Sequence, residues 1–206
     1  RALIGGLFAP GQVLTIRQLA DALMTSTMPV REALGRLITE QALEALPNRT
    51  IRVPPVTLER IEDLLRARVL IEGEAMELAA TRMTPRLLAS LRAITAEWEE
   101  MRLGGNPETV DREVTLNQAF HFEIYRACGS AVLLPMIESL WLQSGPFTRA
   151  AVYAFSEAGA RDAARFHHDI LRALEAGDGK AARVALLADI SRPFAYLRDK
   201  LGKETT

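Results

Sequence analysis

The chain has 206 residues, 49% hydrophobic and 25% charged, with a net charge of −1, which is the composition of a soluble globular protein. The length suits two small domains, or one of roughly 150 residues with an attachment. The near-neutral charge excludes a uniformly basic nucleic-acid binder. The single cysteine, Cys128, excludes a disulfide framework and a cysteine-rich zinc site and fits a reducing cytoplasm. No apolar run reaches the roughly 18 residues that span a membrane. Residues 1–56 carry six arginines against four acids, or +2, which leaves −3 for the rest.

In chain order, "RALIGGLFAPG" reads as the end of a helix running into a Gly-Pro turn, so the natural protein is expected to have residues before it. "IRQLADAL" (16–23) predicts a short helix with Ile16, Leu19, Ala20 and Leu23 on one face. "MPVREALGRLITEQAL" (28–43) predicts a second, with Val30, Leu34, Leu37 and Ile38 inward. Ser26 is its N-cap and Pro29 sits harmlessly in the first turn. "LEALPNRTIRVPPV" then reads as a hairpin around Pro47-Asn48, carrying Arg49 and Arg52, and Pro54-Pro55 is a stiff linker. Two helices, a short turn and a hairpin are the parts of a winged helix-turn-helix over residues 1–56. The plainer alternative is an ordinary helical subdomain.

Residues 57–206 are helical almost throughout. Six amphipathic segments separated by Gly, Pro and Thr signals predict an antiparallel all-α bundle. Thr57 and Thr84 are N-caps, and Pro85 occupies a first helical position. In "RFHHDILRALEAGD" (165–178), His167 shares a face with Ile170, Leu171 and Leu174, while His168 turns towards Arg172 and Glu175. An inward imidazole needs a hydrogen-bond partner or a metal. A satisfied core histidine is the simpler of these readings.

Several of these stretches match one known pattern. Pro10-Gly11 with Leu14, Arg17 with Leu19-Ala20, and Pro29-Val30-Arg31-Glu32-Ala33-Leu34 with Arg36-Leu37 resemble the winged-helix head of the GntR family of bacterial transcription regulators. Arg68 with Glu72, Phe120-His121, and H-x-x-I-L-x-A-L-x-x-G-D from His167 resemble that family's all-helical FCD domain. The resemblance covers essentially the whole chain. Two departures stand out: Met24 where the helix-turn-helix turn usually has glycine, and Thr50 where glycine usually follows the wing arginine.

The resemblance implies a DNA-binding regulator. Arg31 would enter the major groove, where a guanidinium pairs bidentately with guanine. Arg17 and Arg36 would lie nearer phosphates, Ser26 and Thr27 would donate hydroxyls, and Arg49 would bring the wing to the backbone. Each arginine has the alternative role of a solvated surface charge. A homodimer would carry two heads onto a palindromic double-stranded operator.

The resemblance also implies a metal site of one aspartate and three histidines. The matching positions here are Asn117, His121, His167 and Asp189, so one histidine and the usual aspartate are lost and a carboxylate is gained. Two imidazoles and one carboxylate suit zinc, nickel or a similar divalent ion. The alternative is a decayed site in which the histidines only hydrogen-bond. Arg68 would pair with a carboxylate of the effector, a small organic or sugar acid, or instead with Glu72 on its own helix. The expected protein is a cytoplasmic regulator and not an enzyme. The competing readings are a metal-dependent enzyme using the two-histidine, one-carboxylate cavity and a structural dimer whose head no longer binds DNA.

Overall fold

The computed structural model describes residues 2–47, 50–103, 110–157 and 163–204. Residues 2–7 close as a helix end does. Leu7 N–H bonds Ala2 O at 3.0 Å and Gly6 N–H bonds Leu3 O at 2.9 Å, with Gly6 at φ 65° supplying the left-handed turn that only glycine adopts cheaply.

The head follows as β1 (Val13–Thr15), α1 (Ile16–Ala22), α2 (Thr27–Thr39), β2 (Glu44–Ala45) and β3 (Thr50–Arg52). The expected hairpin is present, but β1 joins it to give an antiparallel sheet in the order β1-β3-β2. Leu14 faces Ile51 across β1 and β3, and both are buried. Three residues were too short a run to read as a strand. Thr15 begins α1 with a capping box, its hydroxyl accepting from Gln18 N–H while the Gln18 side chain accepts from Thr15 N–H.

Ala20 is buried against α2, as its small size suggests, but Leu23 is 65% exposed. The cause is that α1 stops at Ala22. Thr25 N–H bonds Ala20 O, Met24 N–H bonds Asp21 O, and Met24 takes φ 50°. The residue that replaces the usual glycine therefore adopts the glycine conformation, at a cost of about 1–2 kcal/mol. In the same way α2 ends at Thr39, shorter than its apolar pattern, because Gln41 at φ 57° closes it. Thr50 sits in regular strand, its hydroxyl donating to Pro47 O at 3.2 Å.

The remaining helices are α3 (Leu58–Ala80), α4 (Pro85–Leu103), α5 (Val110–Ala127), α6 (Leu133–Glu157), α7 (Ala163–Glu175) and α8 (Gly179–Glu204). Thr57 caps α3 by accepting from Arg60 N–H, and Thr84 accepts from Leu87 N–H. α3 lies against α5, α6 and α8, and α4 against α5 and α7. Their apolar faces meet in one core that includes Met76, Phe120, Tyr125, Phe147, Ile170, Leu186 and Phe194.

The head rests on α6. Leu142 packs against the head's own core of Leu3, Leu14, Val30, Leu34 and Ile51. Gly145 lies so close to the first turn that an added Cβ would stand 2.2 Å from Leu3 O, so only glycine fits there. Arg60 of α3 donates to Gln41 O at 2.9 Å and to Gln143 Oε1 at 3.3 Å, tying the end of α2 to both helices. Burial lowers the Arg60 pKa, against the opposing pull of Glu44.

Candidate metal centre and nucleic-acid interface

In the head, α2 buries Val30 and Leu34 and turns its other side outward. Arg31 and Arg36 are exposed there, as is Arg17 near the start of α1. Thr27 is exposed one turn before Arg31, so the two share a face. Ser26 takes the N-cap position, yet its side chain makes no capping bond. Its hydroxyl thus leaves a helix N–H to another acceptor, which suits a phosphate oxygen. Arg36 lies in the last turn of α2, where its charge also complements the helix dipole. Arg49 lies outside the described residues. Arg52, the other hairpin arginine, is bound to Glu44 at 2.6 Å across β2 and β3.

In the bundle, α5 carries Asn117 and His121 on one face, α7 carries His167 and α8 carries Asp189. One ligand atom from each of His121, His167 and Asp189 lies within 4.8 Å of the others. His121 Nε2 is 3.0 Å from Asp189 Oδ2, and His167 Nε2 is 3.1 Å from Asn117 Oδ1. The four side chains that the resemblance selects from three helices thus lie together. His168 points away, half-exposed and 2.8 Å from Glu99, as the helical periodicity requires.

The two histidines are held differently. His167 packs against two rings, Phe120, stacked at 4.1 Å between centroids, and Trp98, tilted at 4.7 Å. Its Nδ1 is buried with no hydrogen-bond partner. Burial lowers its pKa to about 3, with Asp189 acting in the opposite sense, so the ring is neutral near pH 7. His121 has polar backing, its Nδ1 lying 3.4 Å from the Tyr125 hydroxyl. Burial works against ionisation of Asp189, but the hydrogen bond and charge of His121 outweigh it and hold that carboxyl below its ordinary range.

Arg68 is paired on its own helix. Its side chain is 4% exposed and that of Glu72 is 0% exposed. Nε and Nη2 donate to the Glu72 carboxylate at 2.5 and 3.2 Å, and Nη1 donates to Ser144 Oγ at 3.4 Å. The guanidinium also lies 4.9 Å from the Trp141 ring centroid. Burial would lower its pKa, but Glu72 reverses the shift. The i,i+4 pairing with Glu72 is therefore the arrangement found, with Nε and Nη2 engaged by the carboxylate.

Sequence reasoning passed over Tyr125, Trp141 and Arg192. Tyr125 stands one turn after His121, a spacing that could have singled it out. Arg192 stands one turn after Asp189 on α8, with its guanidinium 5.5 Å from the Phe166 ring centroid. Its charge lowers the pKa of both Asp189 and His167, so it lies in the electrostatic range of the site. Trp141 comes from a distant helix and no local pattern marks it.

Comparison with known proteins bears on both halves. Residues 1–53 match the bacterial regulatory proteins of the gntR family and residues 63–192 match the FCD domain. The chain is 31% identical to the HTH-type transcriptional regulator McbR of Escherichia coli (strain K12) over 198 residues, covering 96% of this chain and 88% of that one. It is 29% identical to the HTH-type transcriptional repressor GlaR of the same strain over 154 residues, 74% of this chain and 67% of the other. The solved structure of E. coli McbR/YncC superposes with a TM-score of 0.86 at 30% identity, covering 97% of this chain and 93% of that one. Among the described residues no helix is long and apolar enough to cross a membrane. With a winged helix-turn-helix in front and an FCD helical domain behind, the chain belongs to the GntR family of DNA-binding transcription regulators.

Proposed function

We propose that this regulator responds to a small organic acid through a divalent metal, such as zinc or nickel, held between α5, α7 and α8. The observation that carries the reading is the convergence of His121, His167 and Asp189 from three helices of the bundle. The donor set fits such an ion: two imidazoles and a carboxylate are its ordinary ligands, with the Asn117 carbonyl as a weaker one. Uncharged His167 needs no deprotonation before binding. A bound divalent cation would supply a Lewis-acidic position for an effector carboxylate. The charge of Arg192, which acts on both Asp189 and His167, would add to the attraction of the acid to this end of the bundle.

In the head, Arg31 reads a base edge in the major groove, and Arg17, Arg36, Arg49, Ser26 and Thr27 hold the phosphates. One head offers few contacts, so the bundle pairs two chains and sets two heads on a palindromic site. The effector shifts the balance between arrangements of the heads. Mass spectrometry of the native full chain for co-purified metal and ligand tests the proposal. The expected result is close to one metal ion per chain, lost in His121→Ala and retained in His168→Ala. Equal metal content in the two variants, or none in the parent, would contradict it.

A further inference from the structure

The polar residues behind His121 form a chain that the regulator's DNA-binding role does not require. Tyr125 is fully buried, and its hydroxyl is 2.5 Å from Glu72 Oε2 but 3.4 Å from His121 Nδ1. A phenol has one proton to give, and the shorter contact to a carboxylate takes it. Towards His121, the Tyr125 oxygen is therefore left as an acceptor. It accepts from an N–H carried on Nδ1, so Nε2, 3.0 Å from Asp189, is the His121 nitrogen that faces the ligand cluster. Glu72 is fixed in turn by Arg68 at 2.5 Å and by the indole N–H of Trp141 at 3.2 Å. His167 has no such support, since its second nitrogen finds no partner.

We infer that Tyr125 and Glu72 are positioning residues for the metal centre, which set the tautomer and orientation of His121 so that Nε2 meets the cation, and that His121 with Asp189 is the tighter half of the site. The inference rests on the metal reading above. A metal-bound histidine whose other N–H has an oriented acceptor typically gains 10–100-fold in affinity from it. The long 3.4 Å contact places Tyr125 at the lower end of that range. The same carboxylate joins the site to α6, because Trp141 stands four residues before Gly145, where the first turn of the head crosses.

The test compares zinc binding by the full-length parent and Tyr125→Phe, measured by competition with a chromogenic chelator. The expected result is about tenfold weaker binding at unchanged stoichiometry, with an unchanged circular dichroism spectrum. NMR of the zinc-loaded parent gives a second readout that does not depend on the variant folding. His121 should show a protonated Nδ1 that exchanges slowly with solvent, and its resonance should move upfield in Tyr125→Phe. If the parent binds zinc and Tyr125→Phe binds it equally tightly, or if His121 ligates through Nδ1, this inference is overturned while the metal site stands. A parent that takes up no zinc overturns both.

Discussion

Arg31 and Arg68 are the same residue used in opposite ways, and the contrast separates the two halves of the molecule. The head keeps its chemistry outside. Arg17, Arg31 and Arg36 are exposed, and its buried residues are aliphatic. The bundle keeps its chemistry inside. Arg68, Glu72, His121 and His167 are all buried, and each depends on a neighbour. A group held in water for a partner contributes to binding and little to folding. One enclosed in the core is coupled to folding whether or not it also binds, because an unpaired buried charge is costly.

The largest expected effect breaks the bundle's interior. Glu72→Ala leaves the Arg68 guanidinium buried without its carboxylate, and should destabilise the bundle by about 3–5 kcal/mol in urea unfolding followed by circular dichroism. A loss below about 1 kcal/mol would mean that Arg68 reaches water easily and the pair is not structural. The head supplies the complement. Arg31→Ala should cost about 1–3 kcal/mol of specific DNA binding and relax preference at one base position, while changing stability by under about 0.5 kcal/mol. Mobility shifts at matched salt with variant operators check the first part, and a thermal melt the second.

Acid should also distinguish the halves, since all three histidines lie in the bundle. The folded-state pKa of His167 is lowered from 6.5 to about 3 by burial. Unfolding therefore takes up a proton below pH 6.5, and the stability due to neutral burial is present above that value and lost as pH falls towards 3. The slope is at most about 1.4 kcal/mol per pH unit for one proton. Asp189, whose pKa is also lowered, loses its contribution only below the ordinary carboxylate range. In chelator-treated protein, His167→Gln should flatten the dependence between pH 6.5 and 4. An unchanged slope would place the proton uptake elsewhere. The smallest effect belongs to the head. Met24→Gly relieves a left-handed backbone whose side chain is 94% exposed, and the strain relief is partly offset by glycine's entropy. A gain below about 1 kcal/mol, with DNA affinity unchanged, is expected in a melt of the full chain.

The halves also differed in how far sequence could be read. In the head, the resemblance singled out Arg17, Arg31 and Arg36 on short motifs, and the structure leaves all three exposed because α1 and α2 form from local signals. Its misreadings were local as well: Leu23 and the end of α2 were set by left-handed turns at Met24 and Gln41, residues that do not advertise that conformation. In the bundle, periodicity gave six helices and turned His167 inward and His168 outward. The grouping of Asn117, His121, His167 and Asp189 came from resemblance, because no local rule says which faces of separate helices will meet. The fate of Arg68 was undecidable from spacing, since the i,i+4 pair and an open cavity demand the same residues. The structure shows the pair with Glu72, buried where Trp141 and Ser144 arrive from α6.

Under the proposed function the two halves are joined, and occupancy of the buried site would be read out by the exposed arginines. The most direct test is a mobility-shift titration of the full-length protein on the DNA adjoining its own gene, at fixed salt, with zinc and with chelator. The parent should bind with different affinity in the two conditions. His167→Ala should bind the same DNA with one affinity in both, and His168→Ala should behave as the parent. If His167→Ala kept the parent's difference, or the parent showed none, the bundle site would not be what governs the heads.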